Sequence, residues 1–76
     1  MMTLSAALAG ITDEQERLCD EMAETDELRA AVAWRFFQGK GQIFTELTGI
    51  PLNIIEKFVK DGELSNQHRA ILEAMS

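Results

Sequence analysis

The sequence of 76 residues has few of the residue types that enzymes and disulfide-stabilised domains use. It contains no tyrosine, one histidine (His68) and one cysteine (Cys19). A single cysteine excludes an internal disulfide, so we expect a reducing, cytoplasmic setting. Cys19 and His68 supply too few donors for a structural zinc site. Because no nucleophile–base pair and no glycine-rich phosphate loop is recognisable, we expect no enzymatic activity, no cofactor and no small-molecule substrate.

Long apolar stretches are also missing. The apolar run at residues 4–9 is far shorter than the roughly 20 residues of a membrane-spanning helix. It also lacks the basic start of a signal peptide. A chain of this length forms one domain at most. We therefore expect a flexible leader over residues 1–11, a single helical domain over residues 12–76, and no membrane association.

Negative charge is concentrated in the first third of the chain. Residues 1–28 hold eight acids and one base, Arg17, which gives a net charge of −7. Residues 29–76 hold six bases and five acids, a net charge of +1, so the whole chain carries −6. Neither part is the strongly basic surface expected of a tight, non-specific DNA-binding protein. The acidic segment fits a solvated helix face, a shield over a neighbouring helix, or a mimic of DNA phosphates.

Capping residues and apolar spacing predict four or five short helices and no strand. Thr12 and Gln15 have the spacing of a capping box ahead of the first helix. Thr25 or Asp26 can cap a second helix that runs to about Phe37. The expected fold is an all-α, single small bundle.

In the second half of the chain, helix-forming segments alternate with glycines. The two glycines in residues 39–41 favour a turn, after which a third helix runs over about residues 42–48. Gly49 suits the left-handed position that ends a helix, and Pro51 suits the first turn of the next one. Ser65 can cap a last helix. The buried side of that helix is predicted to consist of Ala70, Ile71, Ala74 and Met75.

Residues 42–62 have the layout of a helix-turn-helix. Such a motif needs a small residue where the second helix crosses the first, a sharp turn, and apolar residues in the angle between the helices. The residues at these positions are Thr45, Gly49, Ile50 and Ile55.

These residues resemble the Cro/repressor (XRE-type) helix-turn-helix family of phages and plasmids. The resemblance covers roughly residues 28–75. It follows the run Thr48-Gly49-Ile50-Pro51, then Phe58, then Asp61-Gly62, then Leu64-Ser65. It implies a bundle in which the last helix packs behind the motif. It also implies a small DNA-binding transcriptional regulator that acts as a homodimer on a two-fold site in duplex DNA.

The resemblance further implies roles for individual residues. Those that open the second helix of the motif would face base edges, with Asn53 suited to adenine and Lys57 to guanine. Lys40 and Lys60 would contact phosphates. The expected DNA-binding residues are Lys40, Gln42, Pro51, Leu52, Asn53, Lys57 and Lys60.

Apolar residues on the outer surface of the motif favour an alternative hypothesis. Leu52 and Ile54 in its second helix, and Ile43 and Leu47 in its first, stand where polar residues are usual in the family. Apolar patches on small domains usually meet another protein surface. The alternative is an acidic protein-binding module, such as an antirepressor or an anti-defence inhibitor, that uses this fold without binding DNA. Its predicted protein interface consists of Ile43, Leu47, Leu52 and Ile54.

Overall fold

The computed structural model describes residues 10–75, which form five α-helices and no strand. The helices are α1 (Asp13–Ala23), α2 (Glu27–Phe37), α3 (Gly41–Thr48), α4 (Leu52–Asp61) and α5 (Asn66–Met75). This confirms the predicted all-α bundle.

Three of the helices begin at side chains that accept a hydrogen bond from the first turn. Thr12 and Gln15 form the predicted capping box at α1, with Thr12 Oγ1 accepting from the Gln15 N–H at 3.1 Å. Asp26, rather than Thr25, caps α2. Ser65 caps α5, as predicted. The local sequence therefore determines where these helices start.

The core is centred on one side of α4. Ile55 and Phe58 have no exposed surface and Val59 is 2% exposed, so this helix has one fully buried side. Burying a side chain of this size contributes about 1.5–3 kcal/mol. Other fully buried side chains are Ile11, Ala33, Ile50 and Leu72.

The packed part of the chain includes the last residue of the predicted leader. Ile11 is only 2% exposed and lies directly before the N-cap of α1. Residues 1–9, which make up most of that predicted leader, lie outside the described residues.

On α1, the buried residues are Cys19 and Met22, at 4% and 5% exposure, and they pack against α2. Leu18 has the helical spacing to share the apolar side of α1 with Met22, but it is 41% exposed. Burial raises the pKa of the Cys19 thiol, and the neighbouring Asp20 carboxylate adds to this. Cys19 is therefore a core residue kept in its thiol form.

On α5, the prediction of the buried side was wrong. Leu72 is buried at 1% exposure. Of the residues predicted to be buried, Ile71 is half-buried. The other three are exposed, namely Ala70, Ala74 and Met75. The rotation of α5 is set by Arg69, which is held against Asp26 of α2. Because residues three apart share one side of a helix, Leu72 then points into the core.

The turn between α2 and α3 uses its two glycines differently from the prediction. Gly39 has a positive φ of 78°, as a turn requires, whereas Gly41 is buried and is the first residue of α3. A Cβ on Gly41 would lie 2.8 Å from Phe36 Cδ2 and 3.3 Å from Leu52 Cδ1. Glycine is thus needed here because neighbouring side chains approach closely. The predicted helix start at Gln42 is one residue late.

The guanidinium of Arg29 on α2 binds the end of α4. Its Nε donates to the carbonyls of Phe58 and Val59 at 3.1 Å each. Its Nη2 donates to the carbonyls of Val59 and Lys60 at 2.8 and 2.7 Å. Carbonyls in the last turn of a helix lack intrahelical partners and form the negative end of the helix dipole. Arg29 therefore caps α4 from a different helix.

Asp26 and Arg69 join the start of α2 to α5. Arg69 Nη2 lies 2.6 Å from Asp26 Oδ2, and Nη1 donates to Oδ1 at 3.3 Å. The pair is mostly shielded, with side chains 22% and 33% exposed. The hydrogen bond from Arg69 lowers the pKa of Asp26. The Arg69 guanidinium also lies 5.5 Å from the centre of the Phe58 ring, so one side chain connects α2, α4 and α5.

Replacing Arg29 by Met should lower the free energy of unfolding by about 1–3 kcal/mol, because the α4 carbonyls lose charge-assisted hydrogen bonds. The matched control is Arg35→Met, since Arg35 is exposed and donates only to the Ala31 carbonyl of its own helix. Urea denaturation of both variants measures the difference. Equal effects of the two substitutions would contradict the capping role of Arg29.

Acid should weaken the contact between Asp26 and Arg69. Because the pKa of Asp26 is lower in the folded chain, its contribution to stability is fully present above the unfolded-state value of about 4. It is lost as the pH falls through the lower folded-state pKa. Asp26→Asn keeps an N-cap acceptor but cannot titrate.

We expect the difference in unfolding free energy between the parent and Asp26→Asn to be constant at neutral pH and to shrink below about pH 4. Urea titrations from about pH 7 down to about pH 2 give this difference. A difference that stays the same at every pH would show that the charge of Asp26 does not matter.

Candidate nucleic-acid interface

The layout predicted for residues 42–62 is present in the structure as two helices, α3 and α4, joined by a short turn. Gly49 ends α3 with a left-handed φ of 76°. Ile50 and Ile55 are buried at 1% and 0% exposure. Thr48 Oγ1 donates to the Phe44 carbonyl and accepts from the Ile50 N–H at 3.1 Å, which holds the chain as it leaves α3. Local hydrogen bonds and burial together set the direction of α4.

Thr45 lies on the inner side of α3, as the motif requires. The residue is half-buried, and its Oγ1 is fully buried without a hydrogen-bond partner. An unpartnered buried hydroxyl destabilises the fold, since it loses water and gains nothing in return. The motif requires a side chain as small as that of Thr45 at this position, but the Thr45 hydroxyl makes no hydrogen bond.

No side chain caps the N-terminus of α3 or of α4. The N-cap positions hold Lys40 and Pro51, and neither makes a side-chain capping bond, in contrast to the start of α1, α2 and α5. Pro51 therefore precedes the first turn of α4 instead of lying within it. The N–H groups of Ile43 and Ile54 donate instead to the backbone carbonyls of Lys40 and Pro51. The positive dipole end of both helices therefore lacks a side-chain acceptor and can attract an external anion.

Every residue predicted to bind DNA is exposed. These residues are Lys40, Gln42, Pro51, Leu52, Asn53, Lys57 and Lys60. Lys40 and Gln42 flank the start of α3, while Leu52 and Asn53 form the first turn of α4. The structure thus brings five of the predicted residues to the starts of the two uncapped helices, whereas Lys57 lies in the middle of α4 and Lys60 in its last turn.

Two of the predicted lysines already have carboxylate partners. Lys57 Nζ lies 3.2 Å from Glu63 Oε2, and Lys60 Nζ lies 2.7 Å from Glu56 Oε1. The hydrogen bond to Glu56 raises the pKa of Lys60. These ion pairs are solvent-exposed and therefore weak, so phosphates can compete with the carboxylates. Lys40 has no such partner among the described residues.

The apolar residues of the motif divide into two groups. Ile43, Leu47 and Leu52 are exposed by 47%, 69% and 42%. Ile54 is half-buried and packs against the core, so it offers less surface to a partner than the other three. It lies two residues after Leu52, on a different side of α4.

The acidic helix α1 does not cover the start of α4. Its Leu18 and Met22 line one groove together with Val59 and Lys60, which lie at the opposite end of α4. The exposure of Leu52 and Asn53 shows that the first turn of α4 is open. The hypothesis that α1 shields this turn is therefore wrong.

Two positioning residues, Arg29 and Arg69, were not identified from the sequence. Each binds groups 29 to 43 positions away in the chain. No local pattern marks such a pair. The N-cap role predicted for Asp26 indicated part of this arrangement, because a capping carboxylate can also accept a hydrogen bond from a distant arginine such as Arg69.

Comparison with protein-family models, curated proteins and solved structures gives no match for this chain. The resemblance to the Cro/repressor family therefore rests on the residues of the motif alone. Residues 10–75 contain no group of three or more His, Cys, Asp or Glu side chains arranged to bind a metal ion. None of the helices in that range has the length and apolarity needed to cross a membrane.

Thr45→Val should raise the free energy of unfolding by about 1 kcal/mol, because it removes the unpartnered hydroxyl and keeps the side-chain shape. Thr48→Val is the matched control and should lower it by about the same amount, since the Thr48 hydroxyl makes two hydrogen bonds. Chemical denaturation measures whether each variant has a higher or a lower free energy of unfolding than the parent. A destabilising Thr45→Val would mean that its hydroxyl has a partner.

Proposed function

We propose that the protein is a small helix-turn-helix transcriptional regulator that binds duplex DNA as a homodimer, as the family resemblance implies. The observation that carries this proposal is the pair of uncapped helix starts in the motif. In each of the other three helices, one first-turn N–H donates to a side chain of the same chain. The two helices that would face DNA have no such side-chain acceptor, so phosphate oxygens could take its place.

The start of α3 is suited to a phosphate. Lys40 adds a positive charge to the dipole end, and the Gln42 amide can donate a further hydrogen bond. Phosphate contacts of this kind fix the position of a protein on the duplex without reading its sequence.

The start of α4 is suited to base edges in the major groove. Asn53 can form a bidentate contact with adenine, and Leu52 can pack against a thymine methyl group. Lys57 lies one turn further along the helix and can bind guanine once it leaves Glu63. This set would favour an A·T-rich half-site flanked by guanine.

The charge of the motif predicts weak binding by a single subunit. Residues 40–63 hold three bases and four acids, a net charge of −1. Few counterions are released when so few cations meet phosphates, so non-specific affinity should be low. Two subunits on a two-fold site would double the contacts, which is why the proposal includes a homodimer.

A second candidate function, protein binding without DNA, is favoured by one observation. Leu47 is 69% exposed and Ile43, one turn earlier on α3, is 47% exposed. This pair could form either the contact between two subunits or the interface with a different protein. Failure of the parent to bind any duplex DNA at low salt would favour the latter.

Lys40→Ala should weaken binding to a random-sequence duplex pool and lower the slope of log affinity against log salt by about one. Arg17→Ala on α1 is the matched control, since it removes a cation outside the motif. Fluorescence anisotropy at several salt concentrations measures both. If the two variants behave alike, Lys40 does not contact a phosphate.

Asn53→Ala and Lys57→Ala should each cost about 1–3 kcal/mol on a selected target site, with little change on the random pool. Both residues are exposed, so neither substitution should alter the fold. Anisotropy titrations with the selected and the random duplex separate the two effects. Unchanged specificity in both variants would show that α4 does not read the bases.

A further inference from the structure

An apolar groove with a volume of about 260 Å³ lies between α1, α2 and the end of α4. Arg29 and Lys60 form part of its rim. The side chains that line it are Leu18, Met22, Phe36, Phe37 and Val59. None of the residues predicted for an apolar protein interface contributes to this groove.

The groove has a floor of buried side chains and a wall formed by an exposed one. Met22 and Val59 form the floor and are 5% and 2% exposed. Phe36 and Phe37 pack edge to face, with ring centres 6.2 Å apart, and both are half-buried. Leu18 forms the wall and is 41% exposed. An apolar ligand side chain that entered the groove would contact mainly the carbon atoms of these side chains.

The wall of the groove belongs to a strongly acidic helix. Residues 13–23 hold five acids and one base, a net charge of −4. Glu14 and Glu21 flank Leu18 on the outer surface of α1, together with Arg17. On the opposite rim, Arg29 and Lys60 bind groups of this chain, namely carbonyls of α4 and the Glu56 carboxylate. A ligand in the groove therefore meets negative charge on its α1 side.

We propose that this groove is a docking site for a basic, amphipathic segment of a partner protein. An apolar side chain of the segment packs against Leu18 and Met22, and its lysines or arginines pair with Glu14 and Glu21. Charge complementarity selects this occupant, because the acidic wall repels nucleic acid and any segment rich in carboxylates.

The docking site is separate from the start of α4, where base contacts are proposed. Helix α4 has 10 residues and is about 15 Å long. The groove lies beside its last turn, whereas Leu52 and Asn53 lie in its first turn. Lys60, one of the predicted phosphate contacts, lines the groove, so it is the one residue that the two sites share.

Two synthetic peptides of about four helical turns test the proposal, because they share one apolar leucine stripe but carry either lysine or glutamate at every other position. Each is titrated into the ¹⁵N-labelled full chain, without DNA, and followed by amide chemical shifts. The lysine peptide should shift the amides of Leu18, Met22 and Phe37. The glutamate peptide should bind at least about tenfold more weakly.

Leu18→Ser should weaken the lysine peptide about tenfold, since it removes the exposed apolar wall. Met75→Ser is the matched control, because it truncates an apolar side chain that is as exposed as Leu18, at 42%, but lies outside the groove, and it should change nothing. Glu14→Lys combined with Glu21→Lys alters only exposed charges and should also weaken the lysine peptide.

Four outcomes would overturn the proposal. They are absence of binding, equal binding of both peptides, shifts centred on Leu47 and Leu52, and self-association of the parent that Leu18→Ser abolishes. The last would identify a second copy of this chain as the occupant. DNA binding is measured separately, so failure of this proposal leaves the proposed function untouched.

Discussion

The burial of one side of α4 is the constraint on which the rest of the structure depends. Ile55, Phe58 and Val59 lie within the core, and Arg29 binds the carbonyls at the end of the same helix. The last two turns of α4 are thus held by apolar contacts and by hydrogen bonds from another helix. Because these contacts leave the first turn free, Leu52 and Asn53 project from a firmly held helix.

Two arginines and one aspartate fix the other helices relative to α4. Asp26 caps α2 and binds Arg69 of α5, and the guanidinium of Arg69 lies over the Phe58 ring. Rotation of α5 follows from this pairing, which brings Leu72 into the core. A few shielded polar contacts therefore orient helices that apolar packing alone would allow to rotate, since apolar contacts have little directionality.

Charge is distributed along the molecule in a way that separates two surfaces. Helix α1 carries a net charge of −4, while the motif of residues 40–63 carries −1. In the proposed function, the negative charge of α1 would repel DNA and favour its approach from the side of α3 and α4. The same charge would attract the basic segment that we propose for the groove beside Leu18.

The sequence by itself determined the helices and most of their ends. Thr12, Asp26 and Ser65 cap helices through neighbours three residues away, and Gly49 ends α3 because it accepts a positive φ. Such interactions are local, so a short window of sequence contains all their participants. The inward side of α4 was predictable for the same reason, since its apolar residues recur at helical spacing.

Only the tertiary structure decided which side of α1 and α5 is buried, and which apolar residues of the motif stay exposed. Leu18 and Met75 have the right spacing for burial but face water, whereas Leu72 fills the core. Ile54 and Leu52 are both large apolar residues of α4, yet Ile54 is half-buried and Leu52 is exposed. These outcomes depend on contacts between residues far apart in the chain. Local propensity carries no information on them, because it does not record how one helix is rotated against the next.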